Sequence, residues 1–259
     1  MFYCGTSGFS YEDWVGIYYP DHLPKGNWLS YYSQEFNAVE VNSTYYSLPS
    51  LKTMDSMVRK TGSGFLFSVK IHQELTHVRQ QLEGKVEGFI YNLKPLIEAQ
   101  KLGCILAQFP YSFRYENTNM EYLRKFRDCL HDLPLVIEFR NDGWLNEDVY
   151  NWMKSDHVGY CCVDEPRLPG LMPPVTWVTG EIAYLRFHGR NSAKWWHHEK
   201  AWERYDYSYK IEELKEWLPG IRQMSQVARN TFIFANNHWR AQAVDTIRQV
   251  RSMLDQLVL

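Results

Sequence analysis

Polar and hydrophobic positions alternate along residues 183–191, which read A-Y-L-R-F-H-G-R-N. This alternation predicts a β-strand with Leu185 and Phe187 on one face and Arg186 and His188 on the other. Burying an arginine without a partner is strongly destabilising, so Arg186 is expected to meet carboxylates, a ligand or water. A strand with a charged inner face is typical of the mouth of a closed β-barrel.

Seven further segments have strand patterns, and helical patterns separate most of them. The eight predicted strands span residues 2–7, 38–44, 65–72, 104–109, 135–141, 160–164, 183–189 and 232–235. The predicted helices span residues 28–36, 51–60, 87–101, 119–130, 146–158, 211–227 and 242–257. The run E-P-R-L-P-G-L-M-P-P-V after the sixth strand is too rich in proline for a regular helix. Residues 190–209, after the seventh strand, are predicted as a long aromatic and basic insertion.

Eight strands in 259 residues predict an α/β fold, a (β/α)8 TIM-type barrel that forms one domain over residues 1–259. An open, doubly wound sheet is the alternative. Neither G-x-G-x-x-G nor G-x-x-x-x-G-K-[ST] follows a predicted strand, which favours the barrel.

Polar residues collect at the carboxyl ends of the predicted strands, where the loops of a barrel form its active site. They are Glu40, Asn42, Lys70, His72, Gln108, Glu138, Arg140, Asp164, Arg186, His188, Asn236 and Asn237. The candidate catalytic residues among them are Glu138, Glu40, Asp164 and His188. The candidate ligand-binding residues are Asn42, Lys70, Gln108, Arg140, Arg186, Arg190, Asn236, Asn237 and Trp195.

Two interpretations of this polar cluster stay open. In the first, Glu138 is a general acid or base with Glu40 or Asp164 as its partner, and the basic residues hold an anionic small molecule. The reaction would be that of a hydrolase or lyase on a phosphorylated or carbohydrate-like substrate. In the second, the carboxylates and the basic side chains neutralise one another as structural ion pairs.

No cofactor is evident from the sequence. Glu40, Glu138, Asp164 and His188 could together form a divalent-metal site, but their spacing in the sequence matches no local metal-binding motif. Five cysteines without a C-x-x-C pair argue against structural zinc and a disulfide framework. With no leader and no membrane-spanning run, we expect a cytoplasmic protein without membrane contact. The sequence does not indicate an oligomeric state.

The insertion carries the run Trp195-Trp196-His197-His198. It is predicted either as an aromatic lid that stacks on a sugar or base, or as a packed plug. The lid interpretation supports a second hypothesis, in which the protein binds nucleic acid or a nucleotide without turnover. A net charge of -2 argues against nucleic-acid binding by bulk charge, although a local basic patch would suffice.

Six ordered motifs carry a family resemblance. They are G-T-S-G-F-S-Y-E-D-W from Gly5, F-N-A-V-E-V-N-S-T-Y-Y from Phe36, I-E-F-R-N from Ile137, V-D-E-P from Val163, Y-L-R-F-H-G-R-N from Tyr184 and F-A-N-N-H from Phe234. Together they resemble the YecE-like family, domain of unknown function 72. The resemblance implies a TIM-barrel fold but no reaction, so the roles of the polar residues rest on the sequence argument alone.

Overall fold

The computed structural model describes residues 1–257, and eight parallel strands form its centre. The strands are β1 Phe2–Thr6, β2 Ala38–Val41, β3 Leu66–Lys70, β4 Leu102–Gln108, β5 Leu135–Glu138, β6 Gly159–Asp164, β7 Ile182–Phe187 and β8 Asn230–Ala235. They hydrogen-bond in the order β1-β8-β7-β6-β5-β4-β3-β2, and a bridge between Ser7 and Glu40 brings β1 beside β2. The predicted TIM-type barrel is therefore confirmed, as a nearly closed barrel.

Helices cover the outside of the barrel. They are α1 Trp28–Glu35, α2 Leu51–Arg59, α3 Leu82–Glu98, α4 Asn117–Leu130, α5 Glu147–Ser155, α6 Ile211–Lys215, α7 Leu218–Val227 and α8 Gln242–Leu257. No helix occurs between β6 and β7, as the prolines predict. The helix predicted over residues 211–227 is instead two helices, and Pro219 lies in the first turn of the second. None of the helices within residues 1–257 is both long and apolar enough to cross a membrane.

Several strands end earlier at their carboxyl ends than the sequence predicts, and this difference determines where the polar side chains lie. The second strand stops at Val41, and the 3-10 turn Ser43–Tyr45 follows Asn42. The fifth stops at Glu138 and the seventh at Phe187, so Arg140 and His188 lie in the loops beyond them. The side chains of Asn42, Arg140 and His188 therefore lie at the barrel mouth, just beyond the last residues of the strands.

The barrel interior changes from apolar to polar along its axis. Phe232 and Tyr184 pack at its lower levels with ring centroids 6.0 Å apart, and the rings of Phe232 and Tyr3 stack at 5.0 Å. The next level up is occupied by Arg186, which has 1% of its surface exposed. Alternation along β7 thus places a charge directly above an aromatic layer, in agreement with the prediction.

Candidate functional site

Arg186 is the centre of a buried ion-pair network. Its Nη1 lies 2.5 Å from Oε2 of Glu138, and its Nη2 lies 2.6 Å from Oε1 of Glu40. Both carboxylates are fully buried. Burial alone would raise the pKa of Glu138, but the guanidinium groups of Arg140 and Arg186 lower it well below its usual value. Glu138 is therefore an ionised carboxylate between two arginines.

A chain of hydroxyl groups extends this network toward the bottom of the barrel. The hydroxyl of Tyr184 donates to Oε2 of Glu40 at 2.7 Å, and Oγ of Ser68 lies 2.7 Å from the same hydroxyl. Cys104 Sγ donates to Ser68 Oγ at 3.4 Å. Burial raises the pKa of the Cys104 thiol to about 12, so it stays protonated. These contacts satisfy Glu40 from below and fix the position of Arg186.

The second oxygen of Glu138 faces two groups at the mouth. Arg140 Nε lies 2.5 Å and His188 Nε2 lies 3.3 Å from Oε1, although neither contact is aligned as a hydrogen bond. The Nδ2 group of Asn236 lies 3.0 Å from His188 Nδ1. If this amide donates, His188 carries its proton on Nε2, toward Glu138. Burial lowers the pKa of His188 well below its usual value, so the imidazole is neutral.

Arg140 connects the network to solvent. Its Nη1 donates to Oε2 of Glu165 at 3.0 Å, and Oε1 of Glu165 accepts from the backbone N–H of Met172 at 3.0 Å. Burial raises the pKa of Glu165 to about 7. Sequence reasoning missed Glu165, although the motif V-D-E-P contains it, because the predicted strand ends one residue earlier.

A cavity of about 330 Å³ opens above Arg140 at the carboxyl end of the barrel. Its basic lining residues are Lys70, His77, Arg140 and Arg204, its aromatic lining residues are Tyr45, Tyr46, Tyr111, Trp195, Trp196 and Tyr205, and the remainder are Gln108, Pro110 and Leu171. None of the described residues that line it is a carboxylate. We call it the cationic cavity.

The pKa of Lys70 is shifted further from its usual value than that of His77, another basic residue of the cationic cavity. Its Nζ donates to Gln108 Oε1 at 2.9 Å and lies 4.5 Å from the ring centroid of Tyr45. Burial, followed by the charge of Arg186, lowers the pKa of Lys70 to about 7. Burial and then Lys70 lower the pKa of His77 to about 4, so that imidazole is neutral. Among the described residues that line the cationic cavity, Lys70 is thus the one whose pKa is near neutrality, whereas Glu165 lies behind Arg140.

Two arginines flank Trp195 at the cavity wall. The guanidinium carbon of Arg140 lies 5.8 Å and that of Arg204 lies 5.4 Å from its ring centroid. Trp195 itself is 1% exposed, so it supports the wall and does not offer a free stacking face, whereas Trp196 is 44% exposed. Among residues 1–257, Nε of Arg204 has no hydrogen-bond partner. Sequence reasoning did not single out Arg204, because a basic residue inside an irregular insertion has no predicted direction.

Three candidates lie apart from the cationic cavity and hold the insertion in place. Asp164 accepts hydrogen bonds from Arg190 Nε at 2.9 Å, from the Tyr209 hydroxyl at 2.6 Å and from Trp217 Nε1 at 2.6 Å. Its pairing with Phe187 places it on the outer face of the sheet. Asn237 Nδ2 lies 2.9 Å from the carbonyl oxygen of Tyr207. Asp164, Arg190 and Asn237 therefore have a structural explanation.

The remaining candidates lie at the edge of the mouth. Asn42 follows β2 and lines a second, larger cavity. His72 follows β3, and its Nδ1 accepts from the backbone N–H of Glu74 at 3.4 Å. Within residues 1–257, no group of three or more His, Cys, Asp or Glu side chains is arranged to hold a metal ion. The potential ligands Glu40 and Glu138 face Arg186 instead.

The sequence and the fold resemble those of known proteins over nearly their full lengths. The family described as "Protein of unknown function DUF72" matches residues 3–258. The UPF0759 protein YunF of Bacillus subtilis (strain 168) is 31% identical over 271 residues, covering 98% of this chain and 95% of that protein.

Solved structures give the same result. A DUF72 family protein (TM1631) of Thermotoga maritima MSB8 is 41% identical, with a TM-score of 0.91 over 98% of this chain and 99% of that chain. D-Psicose 3-epimerase of Clostridium cellulolyticum H10, solved with D-tagatose, has a TM-score of 0.53 over 98% of this chain and 97% of that chain, at 10% identity. That likeness shows the barrel fold alone. The match over residues 3–258 establishes that the chain belongs to the DUF72 family of TIM-barrel proteins of unknown function.

Proposed function

We propose that the protein is an enzyme that acts on a small anionic molecule, such as a phosphorylated or carbohydrate-like acid, in the cationic cavity. The observation that carries this proposal is the cavity lining, which includes Lys70, Arg140 and Arg204 but no carboxylate among the described residues. Guanidinium groups bind carboxylate and phosphate oxygens through paired hydrogen bonds. The cavity also lies at the carboxyl end of the strands, where barrel enzymes carry their active sites.

Lys70 fits the role of the proton-transfer group better than Glu138. A general acid or base works best with a pKa near the operating pH, and the pKa of Lys70 is about 7. Glu138 is fully buried, does not line the cavity, and has a pKa far below neutrality. In this proposal Glu138, Glu40 and His188 position Arg140 and Arg186, and Arg140 with Arg204 binds the anion.

The groups at the cavity favour a lyase over a hydrolase. The neutral amine of Lys70 would take a proton from the carbon next to the bound acid group. The electron pair left behind would then form a double bond as a leaving group departs from the neighbouring carbon. Arg140 would stabilise the negative charge that develops on the acid group. Hydrolysis by a carboxylate general base would need a carboxylate beside the substrate, and the described lining residues include none.

Nucleotide or single-stranded nucleic-acid binding is the second candidate function. Tyr46 is 73% exposed and Trp196 is 44% exposed beside the cationic cavity, and such rings can stack on bases. Oligonucleotide binding that weakens with salt and is lost in Trp196→Ala would support this candidate. Trp195→Ala tests it poorly, because Trp195 is buried.

The main proposal is tested in two steps. Wild type and Lys70→Met are first screened by thermal shift against phosphate, citrate, hydroxy acids and sugar phosphates; a ligand at about 100 times its Kd adds roughly 2.7 kcal/mol of stability. Anions that stabilise the protein are then incubated with it in deuterium oxide, and mass spectrometry follows exchange at carbon and product formation. Exchange that is lost in Lys70→Met is the expected result. Anion binding without exchange or turnover would contradict the enzyme proposal, and full exchange by Lys70→Met would remove Lys70 from its role.

A further inference from the structure

A second cavity, of about 720 Å³, lies beside the cationic cavity, between the loop after β1 and helices α1 and α2. Its walls are mainly apolar and include Phe9, Leu29, Val41 and Met57. Its volume and its mainly apolar surface are typical of a small-molecule site. We call it the apolar cavity.

We propose that the apolar cavity binds the uncharged, aromatic body of the same substrate whose anionic group occupies the cationic cavity. Asn42 accepts a hydrogen bond from an N–H or O–H group on that body. This inference rests on the proposed function for the anionic group. It adds the substrate class, an acid joined to a planar apolar body that carries a hydrogen-bond donor.

Tyrosine rings connect the two cavities. Tyr46 lines both of them. Its ring centroid is 4.9 Å from that of Tyr45, and Lys70 Nζ is 4.5 Å from the Tyr45 centroid. The two cavities therefore adjoin at Tyr46, whose ring contacts the Tyr45 ring beside Lys70 Nζ.

Asn42 supplies the polar contact that fixes a ligand in the apolar cavity. Its Oδ1 is buried and has no hydrogen-bond donor among residues 1–257. The backbone around it is fixed, because its carbonyl oxygen accepts from the N–H of Tyr45 at 3.1 Å. A buried acceptor without a donor is destabilising, so a rotation of the Asn42 side chain that turns Oδ1 toward a donor on the ligand gains that hydrogen bond.

The charges around the apolar cavity exclude a cationic ligand. Lys25, Lys52 and Lys60 line it, and none of the described lining residues is acidic. Lys25 pairs with Glu12 at 2.5 Å on the surface. The alkyl parts of such lysines extend an apolar wall while their ammonium groups stay in water. The apolar walls thus favour an apolar body, and the lysines disfavour a cationic one.

Three probes separate the parts of this proposal. Indole combines a planar apolar ring with one N–H donor, and benzothiophene has nearly the same shape without the donor. Indole-3-ethyl phosphate joins the indole to an anion. Isothermal titration should give a Kd of about 1 mM for indole, as is typical of so small a fragment. Indole-3-ethyl phosphate should bind at least roughly tenfold more tightly than either indole or inorganic phosphate, because the two parts then bind as one molecule.

Four variants assign the binding to the cavity. Ser56 and Thr53 lie on one face of α2 and line the apolar cavity, so Ser56→Phe and Thr53→Phe each place a phenyl ring at its wall and should weaken indole binding. Ser56→Ala leaves the space open and should keep it. Asn42→Leu should weaken indole but not benzothiophene. Circular dichroism and thermal melting test whether each variant is folded. Thr53→Phe, at an exposed position, replaces Ser56→Phe in the test if Ser56→Phe does not fold.

The outcomes distinguish this inference from the proposed function. Loss of phosphate binding but not indole binding in Arg204→Met is expected, because Arg204 lines the cationic cavity and not the apolar cavity. Failure of the wild type to bind any anion, with indole still bound, would overturn the proposed function and with it the assignment of both cavities to one substrate. Failure to bind indole or benzothiophene, or binding that Ser56→Phe and Thr53→Phe leave unchanged, would overturn the apolar-cavity site. Indole-3-ethyl phosphate that binds no better than its parts would show that the cavities do not share a ligand.

Discussion

Replacing Arg186 by methionine tests whether the buried ion pairs hold the barrel together. Methionine roughly fills the space of the arginine stem but removes its charge. In this variant Glu138 still has Arg140 as a cationic partner, with Nε 2.5 Å from Oε1. Glu40 has only the hydrogen bond from the hydroxyl of Tyr184. The substitution therefore leaves one buried carboxylate, that of Glu40, without a cation.

The size of the effect follows from that unpaired charge. Removing one partner of a buried ion pair costs about 3–5 kcal/mol, which for a chain of this size lowers the Tm by roughly 10 °C or more. Urea unfolding followed by circular dichroism measures the change in the free energy of unfolding. Arg229→Met is the matched control, because the Arg229 side chain is 79% exposed and its ion pair with Glu181 is long, at 4.0 Å. Its effect should stay within about 0.5 kcal/mol.

Second substitutions sharpen the test. Arg186→Met combined with Glu40→Gln should recover most of the lost stability, because no unpaired charge remains. Arg186→Met combined with Glu138→Gln should recover less, since Arg140 then loses a carboxylate. A deficit below about 1 kcal/mol, or equal recovery by both double variants, would refute the reasoning.

Three further predictions concern other parts of the chain. Lys101→Met should cost about 2 kcal/mol in urea unfolding, because Lys101 Nζ donates to three oxygens at the end of α2, at 2.6, 2.7 and 3.1 Å; a cost near zero would contradict this. Gly5→Ala should cost about 3 kcal/mol or prevent folding, because a Cβ atom would collide with the carbonyl oxygen of Ala38, whereas Gly26→Ala, with open space around it, should be tolerated. The pKa of Lys70 is about 7 in the folded state and about 10.4 in the unfolded chain, so the folded state binds fewer protons between these pH values. The contribution of neutral Lys70 to the free energy of unfolding is therefore present above about pH 10.4 and is lost as the pH falls through about 7. The stability of wild type relative to Lys70→Met should thus rise by about 1 kcal/mol or more from pH 7 to pH 10, and NMR of ¹³C-methylated lysine should give the pKa directly; a pKa near 10 would contradict it.

The fold was largely predictable because strand patterns repeat around a barrel, and alternation along β7 was enough to place Arg186 inside. Side-chain direction at the strand ends and beyond them was not predictable. Asp164 is the last residue of β6, and its outward direction depends on its pairing with Phe187 and on Trp217, a residue distant in sequence. Arg204 lies in an irregular insertion, so no periodicity indicates that it lines the cationic cavity.

Asp164 fastens both ends of the insertion to the barrel. Arg190, at its start, and Tyr209, at its end, donate to the same carboxylate, and the Tyr209 hydroxyl also accepts from the N–H of Gly189 at 2.9 Å. The two ends are therefore fixed close together while the segment between them supplies Trp195 and Arg204 to the cavity wall. Substitutions in the middle of the insertion therefore change the cavity wall without changing the contacts that hold its ends to the strands.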